Sequence, residues 1–444
     1  MNTPICDFVS GYAAADPVRL HMPGHKGTGA AERLDITEIP GADVLYHPAG
    51  IILESERNAA RLFGARRTVY SAEGSSLSIR AMVYLAAQYA LRRGKAPRIA
   101  AGRNAHKVFI TAAALLDVEV DWLYLAGEGT LLSCEITPGQ LEAFLQGGEP
   151  PAAVYITSPD YLGNMADIRG LAQVCRRFGC LLLVDNAHGA YLNFLPEGEH
   201  PMKCGADLCC DSAHKTLPVL TGGGYLHISE WAPAELDEAA DAAMALFAST
   251  SPSYLILQSL DAANAALDGP WSQKLCRAAV EWSALKGRLE ALGYRLTGRE
   301  PMKLTILAKP YGYTGEELAA ALEAGGIYCE FADPDHLVLM LPADYPPELP
   351  ERLCRALAAI PRRPEITAPA PILKPAQPVL TPHAALFKPA CRVKLPAALG
   401  KIMADPTVSC PPAIPVVCCG ERIDAWAISA MEYYGITHVR VVEG

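Results

Sequence analysis

The sequence is poor in charge. Only 19% of its 444 residues are Asp, Glu, Lys or Arg, against 51% hydrophobic residues. That composition excludes the polar, highly charged make-up of a disordered chain. A concentrated Lys/Arg block is also missing, and 38 basic against 48 acidic residues leave a formal charge of −10. Neither property suits nucleic acid as the main partner. Long apolar runs are absent: stretches such as residues 81–91 fall short of the roughly 18–20 residues that cross a bilayer, so no membrane insertion is expected. Residues 1–17 carry Asp7 and Asp16 where a secretory signal has a basic start and an apolar middle, and a cytoplasmic location is expected. The 14 Cys are not scarce, but no CxxC or Cys/His ligand spacing occurs among them, so no metal site is expected. Adjacent pairs such as Cys209-Cys210 and Cys418-Cys419 read instead as reduced, buried thiols. The Gly-Lys-Ser/Thr of a P-loop is lacking too.

What is present is alternation. Short aliphatic runs at 98–101, 153–157, 180–184, 207–210 and 225–228 read as buried strands, with helical spacing over 77–92 and 168–178 between them. Strand, helix, strand in that order predicts an α/β fold with a mostly parallel sheet sandwiched by helices. In such sheets ligands gather at the carboxyl ends of the strands. Further on, amphipathic helices at 272–292 and 315–324 and short strands at 303–308 and 336–340 predict a smaller α+β domain. Seven prolines from Pro361 to Pro382 then forbid continuous helix or sheet. The expected organisation is an N-terminal arm over 1–54, a large domain over 55–267, the small domain over 268–360, a Pro-rich linker over 361–382 and a C-terminal domain over 383–444.

Four motifs stand at predicted strand ends. Asp211-Ser212-Ala213-His214-Lys215 places a Lys among small and polar residues, where a desolvated amine forms a Schiff base readily. Asp185, in Val184-Asp185-Asn186-Ala187-His188-Gly189, offers a carboxylate that keeps a pyridine nitrogen protonated; alone, it is equally a turn former. Gly74-Ser75-Ser76, before a predicted helix, offers hydroxyls and unpaired N–H groups to a phosphate, and is otherwise a simple N-cap. His106, in Asn104-Ala105-His106-Lys107, offers an imidazole to lie on a cofactor ring, or else a solvated loop residue.

Together these motifs resemble the pyridoxal-phosphate enzymes of the aspartate-aminotransferase fold, fold type I, and within them the bacterial-type ornithine/lysine/arginine decarboxylases. The resemblance takes in His21-Met22-Pro23-Gly24-His25-Lys26-Gly27, Asp35-Ile36-Thr37-Glu38, Gly41-Ala42-Asp43, His47-Pro48, Thr157-Ser158-Pro159-Asp160-Tyr161-Leu162-Gly163 and Cys410-Pro411-Pro412-Ala413-Ile414-Pro415 with Gly420-Glu421, besides the four motifs. It implies pyridoxal 5'-phosphate as cofactor, with Lys215 as its Schiff-base residue and Asp185 on the pyridine nitrogen. Gly74, Ser75, Ser76, Ser212 and His214 would hold the phosphate, His106 would stack on the ring, and His188 would lie beside it. Catalytic roles fall to Lys215, His106 and Asp185. The implied reaction is decarboxylation of arginine, lysine or ornithine to the amine and carbon dioxide, as in polyamine metabolism, by a homodimer or multiple of dimers with shared sites.

The chain reaches the His21 motif almost at once, like the short form of the family that lacks an N-terminal wing domain. It departs from the family pattern at Cys410 (commonly Tyr), Ala413 (Gly), Cys419 (Pro), Asp160 (Thr or Asn) and Asn186 (Glu). Asp160 and Glu421 are candidates to meet the substrate's basic end, or are ordinary loop residues. Two other readings stay open: an aminotransferase or lyase of the same fold, with Arg392 as a candidate carboxylate clamp, and a non-catalytic cofactor-binding homologue.

Overall fold

The computed structural model describes residues 1–125, 130–406 and 414–443. Its strands are β1 (Arg67–Ser71), β2 (Arg98–Gly102), β3 (Glu119–Leu123), β4 (Ala153–Thr157), β5 (Leu181–Asp185), β6 (Leu208–Asp211), β7 (Gly224–Ile228), β8 (Arg295–Thr297), β9 (Lys303–Leu307), β10 (Phe331–Ala332), β11 (His336–Met340), β12 (Ala390–Lys394) and β13 (His438–Val442). They belong to two compact units that alternate along the chain. The first comprises Met1–Pro97, Leu145–Ser158 and Ile168–Gln273, and the second Arg98–Phe144, Pro159–Asp167 and Lys274–Gly444.

In the first unit the strands lie in the order β1-β7-β6-β5-β4. Strands β4, β5 and β6 are parallel, and β7 runs antiparallel to both β6 and β1. Every residue of β5, Leu-Leu-Leu-Val-Asp, is buried, which is the uninterrupted apolar run of a strand covered on both faces. The crossover from β4 to β5 is the helix Ile168–Phe178. It buries Ile168, Leu171, Ala172, Val174 and Cys175 on one face and sets Arg176 and Arg177 at its negative C-terminal end. A second helix, Gly74–Leu91, packs on β6 and β7. Asp185 and Asp211 are the last residues of β5 and β6, so both strands run one residue further than their apolar sequence indicates.

The second unit holds the parallel pair β2 and β3, an antiparallel sheet β10-β11-β9-β8 and the antiparallel ribbon β12-β13. The helix Gly315–Ala324 starts from a capping box in which Thr314 and Glu317 satisfy each other's backbone N–H groups. Through the Pro-rich stretch the backbone forms the isolated bridges Thr130 with Ile372 and Pro378 with Glu421, and scattered hydrogen bonds such as Arg363 N–H to the Tyr311 carbonyl and Val379 N–H to the Gly420 carbonyl. Prolines lack the donor a ladder needs. The unit's core gathers Leu131 and Leu132 with Val416, Ile423, Met431 and Val441. Among the described residues no helix is long and apolar enough to cross a membrane.

Candidate active site

The chemistry-bearing residues of the first unit meet at the carboxyl ends of β5 and β6. Lys215 lies in the short helix Ala213–Thr216, which begins directly after β6. Its Nζ is 3.1 Å from His188 Nε2, and His188 follows β5 by three residues and is buried. Asp185 is buried as well. Its Oδ2 accepts the Tyr155 hydroxyl at 2.9 Å, and its Oδ1 accepts the Ala187 N–H at 3.2 Å. Burial, with the Asp185 carboxylate beside it, pushes the Tyr155 hydroxyl well above its usual value, so Tyr155 keeps its proton and donates it. The same two causes push the Cys210 thiol up.

Beside them, the helix Gly74–Leu91 follows the N-cap residue Glu73, whose side chain makes no cap hydrogen bond to the first turn. Ser212 donates its hydroxyl to Ser75 Oγ at 2.7 Å, and the Ser75 N–H points at Ser212 Oγ from 3.4 Å. His214 donates from Nδ1 to the Gly223 carbonyl at 2.9 Å, and its ring packs over Gly74, where a Cβ would meet His214 Cε1 at 3.3 Å. Gly74 has φ +65°, and a Cβ on Gly224 would lie 2.9 Å from both the Asp211 carbonyl oxygen and the Gly74 carbonyl carbon. Two glycines therefore let three backbone segments close into a cup lined by hydroxyls and helix N–H groups. Half-buried Ser76 is next along the helix.

The remaining candidates belong to the second unit. His106 is the N-cap of the helix Lys107–Leu115, its Nδ1 accepting the Val108 N–H at 3.2 Å. Asp160 is buried and turned into its own loop: Oδ1 accepts the N–H groups of Leu162 and Asn164, and Oδ2 the Asn164 side-chain amide, each at 2.9 Å. Glu421 is buried, with Oε2 accepting the Cys418 N–H at 2.6 Å and Arg103 Nη2 at 3.3 Å. Arg103 also donates to the carbonyls of Pro415 and Val416. Arg392 is exposed on β12, opposite Arg440. Cys410 and Ala413 lie outside the described residues. Cys419 is buried near the Pro382 carbonyl.

Sequence reasoning missed Tyr155, which hides inside an apolar strand. Register gives the signal: Tyr155 pairs with Leu183, and Leu183 shares a face of β5 with Asp185 two residues on.

This donor set fits a phosphorylated pyridine aldehyde. A helix terminus with paired serine hydroxyls suits a phosphate dianion, a buried carboxylate supplied by a Tyr donor suits a pyridinium, and an amine beside an imidazole suits a carbonyl carbon. The architecture is that of the fold type I pyridoxal-phosphate enzymes. It is similar to the constitutive lysine decarboxylase of E. coli, with a TM-score of 0.78 at 17% identity over 100% of this chain and 82% of that one. It is also similar to an SPT solved with its PLP internal aldimine, with a TM-score of 0.56 at 16% identity over 79% of this chain and 82% of that one.

The family described as Orn/Lys/Arg decarboxylase, major domain, matches residues 3–292, and the chain belongs to it. It is thereby an amino-acid decarboxylase by class. Among curated relatives it is 28% identical to the uncharacterized protein YaaO of Bacillus subtilis (strain 168) over 450 residues, 95% of this chain and 92% of that protein. An arginine decarboxylase of the same organism is 28% identical over 467 residues, 96% of this chain and 92% of that protein.

Proposed function

We propose that the chain holds pyridoxal 5'-phosphate and decarboxylates a basic amino acid to the corresponding amine and carbon dioxide. The observation that carries this reading is Lys215 Nζ in hydrogen-bond reach of His188 Nε2, one short helix away from the Ser75/Ser212 cup. Bound there, the cofactor supplies a sink for the electron pair released when the bond from Cα to the carboxylate breaks. Lys215 holds the cofactor through Nζ. His188 Nε2 takes the proton that the ammonium must lose before Nζ can attack a carbonyl carbon. Asp185, held by the Tyr155 hydroxyl and the Ala187 N–H, would keep a proton on the pyridine nitrogen. The proton that replaces the carboxylate on Cα would come from the Lys215 Nζ–His188 Nε2 pair. Ser75, Ser76, Ser212 and His214 bind the phosphate and so fix the orientation in which the carboxylate leaves.

Arginine is the first substrate to offer, because four of the curated relatives are named arginine decarboxylase and are matched over 54–92% of their own length. Cytoplasmic location and a homodimer, or multiple of dimers, complete the reading on the strength of the family resemblance; light scattering on the purified chain tests the latter. The deciding experiment offers arginine, lysine and ornithine separately to purified, cofactor-loaded protein and measures carbon dioxide and amine. Amine from one of them supports the reading and names the substrate. A keto acid in its place overturns it in favour of transamination, and an intact visible band with no product from any of the three overturns turnover.

A further inference from the structure

Behind the cup lies a buried polar cluster that the chemistry above leaves unused. Asp211 ends β6 immediately before Ser212, and Asn186 follows Asp185 at the end of β5. Asn186 Nδ2 donates to Asp211 Oδ1 at 2.6 Å, and the Asn186 backbone N–H donates to the Cys210 carbonyl at 3.0 Å. The other carboxylate oxygen, Asp211 Oδ2, accepts His200 Nε2 at 3.0 Å and His227 Nε2 at 3.1 Å. His227 Nδ1 is in turn 2.8 Å from Thr68 Oγ1. Asn186, His200, Asp211 and His227 all have 0% exposure.

The donor pattern separates two readings of this cluster. His200, Cys209 and Asp211 bring ligand atoms within 4.8 Å of one another, as a metal site would. However, His200 Nδ1 accepts the Met202 N–H at 3.3 Å, so the proton of the neutral ring sits on Nε2. That nitrogen has no lone pair to give a metal, and it donates to Asp211. The cluster is a carboxylate hydrogen-bonded by Asn186, His200, His227 and, at 3.7 Å from Oδ1, the Cys209 thiol, and such donors are what a buried charge requires.

A buried ionic cluster adds little net stability compared with well-packed apolar groups. What it supplies here is geometry, since the segment on one side of the Asp211–Asn186 bond carries Asp185 and the segment on the other carries Ser212 and Lys215. We infer that Asp211 and Asn186 are a buried positioning pair, locking the Asp185 strand end in register with the Ser212–Lys215 segment, with His200 and His227 fixing the Asp211 carboxylate. The inference rests on the reading of those segments as the cofactor site. Neither residue is assigned contact with cofactor or substrate; both act through their neighbours. The remaining amide oxygen, Asn186 Oδ1, is buried without a hydrogen-bond partner among the described residues, so among them Asp211 is the hydrogen-bonding group that orients that amide.

The pair has a charge logic that a swap tests. Asn186→Asp sets a second carboxylate against Asp211, while Asn186→Asp with Asp211→Asn restores one carboxylate, one amide and acceptors for both imidazoles. Pyridoxal 5'-phosphate affinity is measured by titration, the pH midpoint of the bound cofactor's visible band by absorbance, and each protein's melting temperature alongside. We expect Asn186→Asp to weaken cofactor binding tenfold or more and to move the band's midpoint. The double variant should return affinity to within about threefold of the unvaried chain. Should Asn186→Asp fail to fold, Asn186→Ala takes its place, with at least a threefold loss of affinity and a normal melt expected. Indifferent variants overturn the pair, as does a double variant that melts normally but stays as weak as Asn186→Asp. A stoichiometric metal ion in the purified protein, lost in Asp211→Asn, overturns it in favour of a metal site. An unvaried chain that shows no visible band overturns the cofactor reading itself; a band with indifferent variants overturns only the pair.

Discussion

Lys215 Nζ and His188 Nε2 stand 3.1 Å apart although 27 positions separate them in the sequence. The parallel pairing of β5 with β6 brings them together, since each follows its strand's last residue by three or four positions. The contact gives the Lys215 amine an imidazole to exchange a proton with, and an amine must shed its proton before it attacks a carbonyl carbon.

Lys215→Ala should therefore abolish decarboxylation and the visible band of the bound cofactor together. Absorbance and product assays on the same sample check this, and full turnover by the variant would sink the mechanism.

His188→Gln keeps an acceptor near Nζ but cannot carry a proton. The expected outcome is a fall in kcat of roughly 10²-fold, within the usual range for a lost acid–base group, with cofactor still bound. Steady-state rates across pH are the check; an unchanged pH profile would remove His188 from proton transfer.

Acid should destabilise the fold through His227. Burial holds its imidazole below the usual value, although Asp211 pulls it upward. With the folded value lowered, the unfolded chain takes up the proton first, so stability falls as pH drops below about 6.5. Asp211 adds a second loss at lower pH: burial opposes its ionisation, but His200 and His227 outweigh burial and hold the carboxyl well below its usual range. Its contribution is complete above about pH 4 and disappears as pH falls further. In melts at pH 7.5, 6.5 and 5.5, His227→Gln should show the shallower decline.

Glu56 carries the opposite sign. Its Oε1 accepts the Tyr70 N–H at 2.9 Å while Oε2 is buried with no partner among the described residues, and burial, aided by Asp241, pushes its carboxyl up to about 8. A raised acid costs stability as pH climbs from its unfolded value near 4.3 toward 8. Glu56→Gln should melt higher at pH 8, by roughly 1–3 kcal/mol of stability, and no differently at pH 4.5.

Arg103→Leu should destabilise the second unit by roughly 3–5 kcal/mol, the usual penalty for stranding one member of a buried ion pair. The change removes the guanidinium from Glu421, which keeps the Cys418 N–H, and from the carbonyls of Pro415 and Val416. Denaturant melts check the magnitude. Arg103→Leu with Glu421→Gln should recover part of the loss, and an equally weak double variant would show that the carbonyl contacts, not the ion pair, matter.

The strands that end in chemistry were readable because β5 and β6 are unbroken apolar runs capped by a single Asp, and the family was readable from the motifs at those ends. Strands β1 and β3 were not: β1 opens on Arg67 and Thr68, and β3 alternates Glu119, Asp121 and partly exposed neighbours, so neither offers an apolar run. Asn186 was legible only as a departure from the family pattern. Its partner Asp211 lies on the next strand, where sequence spacing says nothing about contact. Asp160 and Glu421 show the reverse. Each is acidic at a motif, yet the hydrogen bonds that bury it come from backbone N–H groups and an Arg that no local pattern couples to it.

The alternation of the two units along the chain sets the order in which the protein can assemble during synthesis. Leu131 and Leu132 share a core with Val439 and Val441, some three hundred positions downstream. The first unit has all its residues once Gln273 has emerged, but the core around Leu131 and Leu132 in the second is incomplete until nearly the whole chain is made. Contacts of such long range close slowly and leave apolar surface waiting in the meantime. The newly made chain is therefore most vulnerable to aggregation in the interval between residue 273 and the completion of β13.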